Sequence, residues 1–138
     1  MINRSFVDTN LFIYAYSKDN DGKNDKARNF FKNHIQSRET FISIQVINEL
    51  CAWLHRNSYS LRNIHQITDE INNSFNIVPI GFHISKRAID LKDKYKFEWW
   101  DALLLSTALE NNCNSYFTED LQHNQIIESK MKIINPLL

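Results

Sequence analysis

Short apolar runs with strand propensity alternate along the chain with longer segments that have helical periodicity. Five such runs predict strands, and most are bounded by polar or turn-forming residues. They are residues 6–7, 40–43, 76–79, 115–117 and 131–134. The third ends at Pro79 and the fifth is followed by Asn135-Pro136, and proline cannot continue a central strand.

Between these runs, apolar residues recur at spacings of three and four, which predicts amphipathic helices. The four stripes are Ala27, Phe30, Phe31, His34 and Ile35; Val46, Ile47, Leu50, Trp53 and Leu54; Leu61, Ile64, Ile67, Ile71 and Phe75; and Ile84, Ala88, Leu91 and Tyr95. Residues 11–16 can begin a short helix, and the polar residues 17–24 predict a loop. Residues 98–109 are apolar nearly all round and predict a buried helix. Strands that alternate with helices predict an α/β fold with a parallel sheet covered on both faces.

Composition bounds the size and class of the protein. A chain of 138 residues with 43% hydrophobic content is expected to form one domain, residues 1–138. Lys and Arg balance Asp and Glu at 16 each, so there is no overall basic signature for nucleic acid. Cys51 and Cys113 do not make a disulfide scaffold and are expected to be reduced. We see no signal peptide and no apolar run of the roughly 18 residues that span a bilayer, and therefore expect a cytoplasmic protein without membrane contact.

Four acidic residues share one kind of position in the predicted fold. Asp8 follows the first strand, and Asp120 comes shortly after the fourth. Glu49 lies early in the helix that follows the second strand, and Asp101 opens the most apolar helix. In a parallel sheet, residues just past the strand ends gather at one edge, where ligands bind. The pattern therefore predicts that these acids share a groove.

Each acid also has a simpler interpretation. Asp8 can cap a helix, although Thr9 or Asn10 could cap instead and leave the Asp8 carboxylate free. Asp101 can be a solvent-facing helix cap, and Glu49 an ordinary solvated helix residue. The joint pattern favours a site over four separate explanations.

Crowded carboxylates repel one another unless a cation offsets their charge. Mg²⁺ and Mn²⁺ prefer oxygen ligands and often bind through a few carboxylates together with water and substrate phosphate. Such a site suits the hydrolysis of phosphodiester bonds. A glycine-rich phosphate loop is excluded, because the chain has two glycines in total.

These residues resemble the motifs of PIN-domain proteins, and among them toxins of the VapC type. The matching segments share the order of the family's motifs: residues 7–10 (Val-Asp-Thr-Asn), 48–50 (Asn-Glu-Leu), 100–104 (Trp-Asp-Ala-Leu-Leu), 118–121 (Thr-Glu-Asp-Leu) and 135–136 (Asn-Pro). The resemblance implies a three-layer α/β/α sandwich with a short, five-stranded, mostly parallel sheet. It also implies a Mg²⁺-dependent endoribonuclease that cuts tRNA or rRNA, with Mn²⁺ as a possible substitute. Such toxins are usually homodimers and are blocked by a cognate VapB-like antitoxin whose tail enters the acidic groove.

Carried over residue by residue, the resemblance assigns Asp8, Glu49, Asp101 and Asp120 as the catalytic and metal-binding acids. Asn10 matches a position that helps to hold Asp8 or a metal-bound water, and Thr118 matches a hydroxyl position near the fourth acid. The fourth acid of the family usually follows the threonine by two residues. This spacing favours Asp120 over Glu119, which remains an alternative.

Two other functions remain open. One is a haloacid-dehalogenase-like phosphatase, which also has an aspartate after strand one; its pattern requires a second aspartate where this chain has Asn10. The other is a PIN-like module that binds RNA or a partner without cleaving. Trp99 and Trp100 are expected to make core or dimer contacts rather than to stack on bases, and residues 86–96 to form a solvated helix face.

Overall fold

The computed structural model describes residues 3–18, 21–34 and 39–138. These residues form helices and strands that alternate as the sequence pattern predicts. The helices are α1 (Thr9–Tyr16), α2 (Lys23–His34), α3 (Ile44–Arg56), α4 (Leu61–Ser74), α5 (Phe82–Tyr95) and α6 (Trp99–Glu110). The strands are β1 (Arg4–Val7), β2 (Glu39–Ser43), β3 (Asn76–Val78), β4 (Ser115–Phe117), β5 (Ile126–Ile127) and β6 (Met131–Ile134).

The strands form one sheet in the order β3-β2-β1-β4-β6-β5. All neighbouring pairs are parallel except β5 and β6. This confirms the predicted α/β fold with a mostly parallel sheet, but the sheet has six strands rather than five. The additional strand, β5, has only two residues and is too short to give a periodic signal. It pairs with β6 across a tight turn in which Glu128 and Ser129 have positive φ angles.

Both faces of the sheet are covered at its centre. Ser115, Tyr116 and Phe117 of β4 are all buried, although successive side chains of a strand point to opposite faces. The Phe117 ring packs against Phe30 and His34 of α2, which places α2 on the Phe117 face. Tyr116 therefore points to the opposite face, where its ring stacks on Phe6 of β1.

The predicted helices form with small shifts at their ends. Ser43 caps α3, because its hydroxyl accepts a hydrogen bond from the backbone N–H of Val46 at 3.3 Å. Lys23 and Asn24, predicted to lie in a loop, instead begin α2. Ile35, predicted to share a helix face with Ala27, lies outside the described residues, as do residues 19 and 20 of the predicted loop.

The carboxyl ends of β1 and β4 lie side by side at the centre of the sheet. Val7 is paired in register with Phe117, and the backbone N–H of Asp8 donates to the Phe117 carbonyl at 3.0 Å. The backbone N–H of Thr118 donates to the Ile134 carbonyl at 3.0 Å. These bonds fix the residues that follow β1 and β4 next to each other at the sheet edge.

Cys51 and Cys113 are both free thiols, as expected from the sequence. No helix among the described residues is long and apolar enough to cross a membrane.

Candidate functional site

Asp8 is buried at the point where β1 passes into α1. Its side chain is 7% exposed, and both carboxylate oxygens accept hydrogen bonds. Oδ1 accepts from the Thr9 backbone N–H at 2.6 Å, and Oδ2 accepts from the Thr118 hydroxyl at 2.8 Å. Asp8 is therefore the N-cap of α1, and the alternative in which Thr9 or Asn10 caps this helix is not the one that forms. The cap is made by the carboxylate oxygen Oδ1, and the extended backbone of Asp8 holds that carboxylate at the sheet edge.

Thr118 links two of the predicted acids. Its hydroxyl donates to Asp8 and also accepts from the Asp120 backbone N–H at 3.0 Å. The residue that the sequence places near the fourth acid thus contacts the first acid directly. It also holds the loop in which the fourth acid lies.

Asp120 and the neighbouring Glu119 have different partners. The Asn10 amide donates to Asp120 Oδ2 at 2.7 Å, so Asn10 holds the fourth acid rather than Asp8. Glu119 instead forms an ion pair with Lys23, with 2.5 Å between Oε1 and Nζ. The Lys23 ammonium also lies over the Tyr14 ring, 5.0 Å from its centroid. The carboxylate of Glu119 is therefore engaged by α2, whereas that of Asp120 is tied to α1 beside Asp8.

Asp101 is the third residue of α6, and Glu98 is the N-cap of that helix. The interpretation of Asp101 as a bare N-cap is therefore wrong. The helix itself favours an acid at this position, because the amino end of a helix carries partial positive charge. Within the part of the chain that the structure describes, no donor forms a hydrogen bond to the half-buried Asp101 carboxylate.

Glu49 lies in the second turn of α3 and is exposed. Its Oε1 accepts hydrogen bonds from the Thr9 hydroxyl and from the Gln45 amide, both at 3.1 Å. Thr9 is thus a contact between α1 and Glu49 that the sequence pattern did not single out. Thr9 also links Glu49 to Asp8, because its backbone N–H donates to the Asp8 carboxylate.

The acids act on one another electrostatically, which shows that they share one region. Burial raises the pKa of Asp8 to about 7; hydrogen bonds from Thr118 and Thr9 oppose this rise, and repulsion from Asp120 and Asp101 adds to it. Desolvation also raises the pKa of Asp101, with further contributions from Asp120, Glu98 and Glu49. These carboxylates are in an environment that disfavours their charged forms.

The pKa values of the two acids after β4 shift in opposite directions. Desolvation and the charge of Glu119 raise the pKa of Asp120, although Asn10 and Lys23 oppose the rise. Partial desolvation also favours the neutral form of Glu119, but its interactions with Lys23 and Tyr14 hold its pKa below the usual range. Glu119 is therefore already compensated by a cation, and Asp120 is not.

The donor set fits a hard divalent cation in its chemistry. All four acids supply oxygen ligands, and a cation among them would relieve the desolvation and repulsion that raise the pKa values of three. Among residues 3–18, 21–34 and 39–138, no three His, Cys, Asp or Glu side chains are already arranged around one metal position.

The other sequence candidates lie outside this cluster. Trp99 is half-buried against the core, as expected, whereas Trp100 is 63% exposed beside Asp101. Within the basic run of residues 86–96, three ion pairs form: Arg87 with Glu110, Lys94 with Glu128 and Lys96 with Asp93. This is consistent with a solvated helix face.

Comparison with known families and structures gives an independent result. The PIN domain family matches residues 5–128 of this chain. No curated relative matches the sequence.

Solved structures with the same fold are distant in sequence. A toxin-antitoxin complex from Klebsiella pneumoniae has a TM-score of 0.71 at 21% identity, covering 96% of this chain and 97% of that one. The Mycobacterium tuberculosis toxin VapC20, named as cleaving the sarcin-ricin loop, has a TM-score of 0.68 at 12% identity, covering 84% and 91%. VapBC2 from Rickettsia felis, bound to a fragment of its promoter DNA, has a TM-score of 0.65 at 18% identity, covering 85% and 88%. At these identities the likeness establishes the fold.

Proposed function

Because this chain belongs to the PIN domain family, we propose that it is a Mg²⁺-dependent endoribonuclease of the VapC toxin type, which hydrolyses RNA phosphodiester bonds and thereby inhibits translation. The observation that carries the proposal is the convergence of Asp8, Glu49, Asp101 and Asp120 at the carboxyl edge of a parallel sheet. Desolvation of these carboxylates, together with their mutual repulsion, supports a cation-binding role, because both are costly in the absence of a cation.

The residues divide into two groups by role. Asp8, Asp101 and Asp120 hold Mg²⁺, or Mn²⁺ in its place, and Glu49 is either a further ligand or the base that positions the attacking water. Thr118 and Asn10 keep Asp8 and Asp120 oriented through the hydrogen bonds described above. Glu119 supports the site through Lys23 rather than binding the metal.

In the reaction, water adds to the phosphorus of the scissile bond and the ribose oxygen leaves. A bound Mg²⁺ would supply the acidity that makes water a nucleophile and the positive charge that offsets the developing negative charge. The exposed Glu49 lies where it can accept a proton from water, while the buried Asp8 is shielded from bulk solvent. Placement of these groups at fixed positions lowers the entropic cost of the reaction.

The proposed partners are an RNA substrate, tRNA or rRNA, and a cognate VapB-like antitoxin. The similar structures, one named as a toxin-antitoxin complex and one as a toxin that cleaves the sarcin-ricin loop, support both. We further propose a homodimer, because Phe82 and Trp100 are 81% and 63% exposed and large exposed apolar side chains often mark interfaces. Light scattering of the purified chain, alone and after co-expression with a candidate antitoxin, tests this point; a monomer that captures no partner would contradict it.

The test of the function is cleavage of labelled tRNA and rRNA fragments by the purified chain with Mg²⁺ and with EDTA. Asp8→Asn and Asp101→Asn should each reduce cleavage by at least a hundredfold, and EDTA should abolish it. Asp90→Asn is the matched control, because it removes an exposed carboxylate on α5 that is not among the charges acting on Asp8, Asp101 and Asp120. Cleavage that survives EDTA and both site variants would refute the metal mechanism.

The alternative is a PIN-like module that binds RNA or a partner without cleaving it. It is favoured by one observation: among the described residues, no three His, Cys, Asp or Glu side chains are arranged to bind one metal ion. Binding of the same RNA fragments without cleavage, with Mn²⁺ also tried, would select this alternative.

A further inference from the structure

The hydroxyl of Tyr116 is fully buried, and none of the described residues forms a hydrogen bond with it. A buried tyrosine hydroxyl usually has a partner, because removing it from water without one costs free energy. A phenylalanine at this position would avoid that cost. The hydroxyl therefore requires an explanation.

The strand register places Tyr116 directly beneath the acidic site. Tyr116 is paired with Phe6 on β1, and the two rings stack with 5.3 Å between their centroids. Side chains two residues apart on a strand point to the same face. Asp8 and Thr118 each follow this pair by two residues, and they contact each other at the sheet edge. Tyr116 and these two residues therefore lie on one side of the sheet.

The acids also act on the Tyr116 hydroxyl through their charge. Burial raises the pKa of Tyr116 well above its usual value, and Asp8, Asp101, Asp120 and Glu49 raise it further. The hydroxyl thus keeps its proton and is available as a hydrogen-bond donor.

Three of the four acids already have donors. Asp8 accepts from Thr9 and Thr118, Glu49 from Thr9, and Asp120 from Asn10. Asp101 differs, because none of the described residues donates to its carboxylate. Among the described residues, Tyr116 is therefore a buried donor without an acceptor, and Asp101 is the one of the four acids whose carboxylate has no donor.

We propose that Tyr116 is a positioning residue whose hydroxyl donates a hydrogen bond, through one buried water, to the carboxylate of Asp101. A water is required because the two side chains are not in direct hydrogen-bond contact. A water in a polar site can satisfy both groups and costs little entropy to hold. The bridge orients Asp101 as Thr118 orients Asp8. Its consequence for metal binding rests on the function proposed above.

The test begins with Tyr116→Phe, which removes only the oxygen. In EDTA this variant should fold as the wild type does, because the hydroxyl has no protein partner to lose. Mn²⁺ affinity, measured by isothermal titration calorimetry, should fall about tenfold, as for other residues that orient metal ligands. Tyr59→Phe is the matched control: its half-buried hydroxyl donates to the Tyr16 carbonyl at 3.1 Å, and its removal should leave Mn²⁺ affinity unchanged.

Asp101→Asn supplies the second arm. If Tyr116 acts through Asp101, the loss caused by Tyr116→Phe should disappear when Asp101→Asn is already present. Wild-type Mn²⁺ affinity in Tyr116→Phe, or an equal loss in both backgrounds, would overturn the inference while leaving the nuclease proposal intact.

A wild-type chain that neither binds Mn²⁺ nor cleaves RNA would instead refute the proposed function. The same variants then decide the inference through urea unfolding in EDTA. A coupling between the two substitutions in the free energy of unfolding supports the bridge, and strict additivity overturns it.

Discussion

The hydroxyl of Thr118 and the carboxylate of Asp8, 110 residues apart in the sequence, are 2.8 Å apart. The same hydroxyl accepts the Asp120 backbone N–H, so one side chain connects the end of β1 with the loop that follows β4. Both contacts depend on the parallel pairing of β1 with β4. Thr118 therefore joins the fold of the sheet to the arrangement of the acids.

Replacing Thr118 tests this connection. Thr118→Val keeps the shape of the side chain but removes the hydroxyl, which leaves the buried Asp8 oxygen and the Asp120 N–H without their partner. We expect the free energy of unfolding to fall by about 1–3 kcal/mol, as measured by urea denaturation, and RNA cleavage to fall at the same time. Thr118→Ser retains the hydroxyl and should stay much closer to wild type; equal losses in the two variants would show that packing, rather than the hydrogen bonds, matters here.

Asp8→Asn should change how stability depends on pH in EDTA. Folding raises the pKa of Asp8 from 3.8 to about 7, mainly through desolvation. The folded state therefore retains its proton to higher pH than the unfolded state. The contribution of Asp8 to stability is fully present below pH 4 and is lost as the pH rises through 7, by up to about 4 kcal/mol at 1.36 kcal/mol per pH unit.

Asparagine does not titrate, so the variant should gain stability relative to wild type between pH 4.5 and pH 8. Urea denaturation at these two pH values measures the change. Any constant difference caused by the amide, which cannot accept hydrogen bonds at both of its ends, cancels between them. Parallel pH profiles for wild type and Asp8→Asn would show that the Asp8 carboxyl has an ordinary pKa in the folded protein.

The sheet edge could be predicted from the sequence because its signals are local. Asp8 directly follows an apolar strand, and Thr118 directly follows another. Parallel sheets bring such positions together whatever the details of the turn. The partners of Asn10 and Glu119 could not be predicted, because they depend on side-chain direction in loops.

Tyr116 and Lys23 were missed for different reasons. Tyr116 appears as an ordinary core aromatic in a strand, and only its register with Phe6 and its unpartnered hydroxyl set it apart. Lys23 lies in a polar stretch that predicts a loop, and its contact with Glu119 depends on where α2 begins. The two-residue β5 was missed because so short a strand carries no periodicity.

The choice between Glu119 and Asp120 as fourth acid can be tested by matched substitutions. Glu119 is paired with Lys23, whereas the pKa of Asp120 is raised by desolvation and by Glu119, so a cation would stabilise Asp120 more. We expect Asp120→Asn to reduce Mn²⁺ affinity and RNA cleavage by at least a hundredfold, and Glu119→Gln by less than tenfold. The reverse order would assign Glu119 as the ligand. Lys23→Gln removes the positive charge that pairs with Glu119. It should reduce Mn²⁺ affinity and RNA cleavage by about as much as Glu119→Gln does.

The two thiols should differ in reactivity by at least an order of magnitude, because the thiolate is the reacting form and it must be accessible. Cys113 is 3% exposed, and desolvation raises its pKa to about 12. Cys51 is half-buried on α3, and desolvation also raises its pKa, but part of its side chain is accessible. Titration with a disulfide reagent at pH 8 should therefore show one slow phase from Cys51, with Cys113 reacting only after denaturant is added. Cys51→Ala should remove the phase seen in the native protein. A phase that persists in this variant would show that Cys113 becomes accessible when the structure around β4 opens.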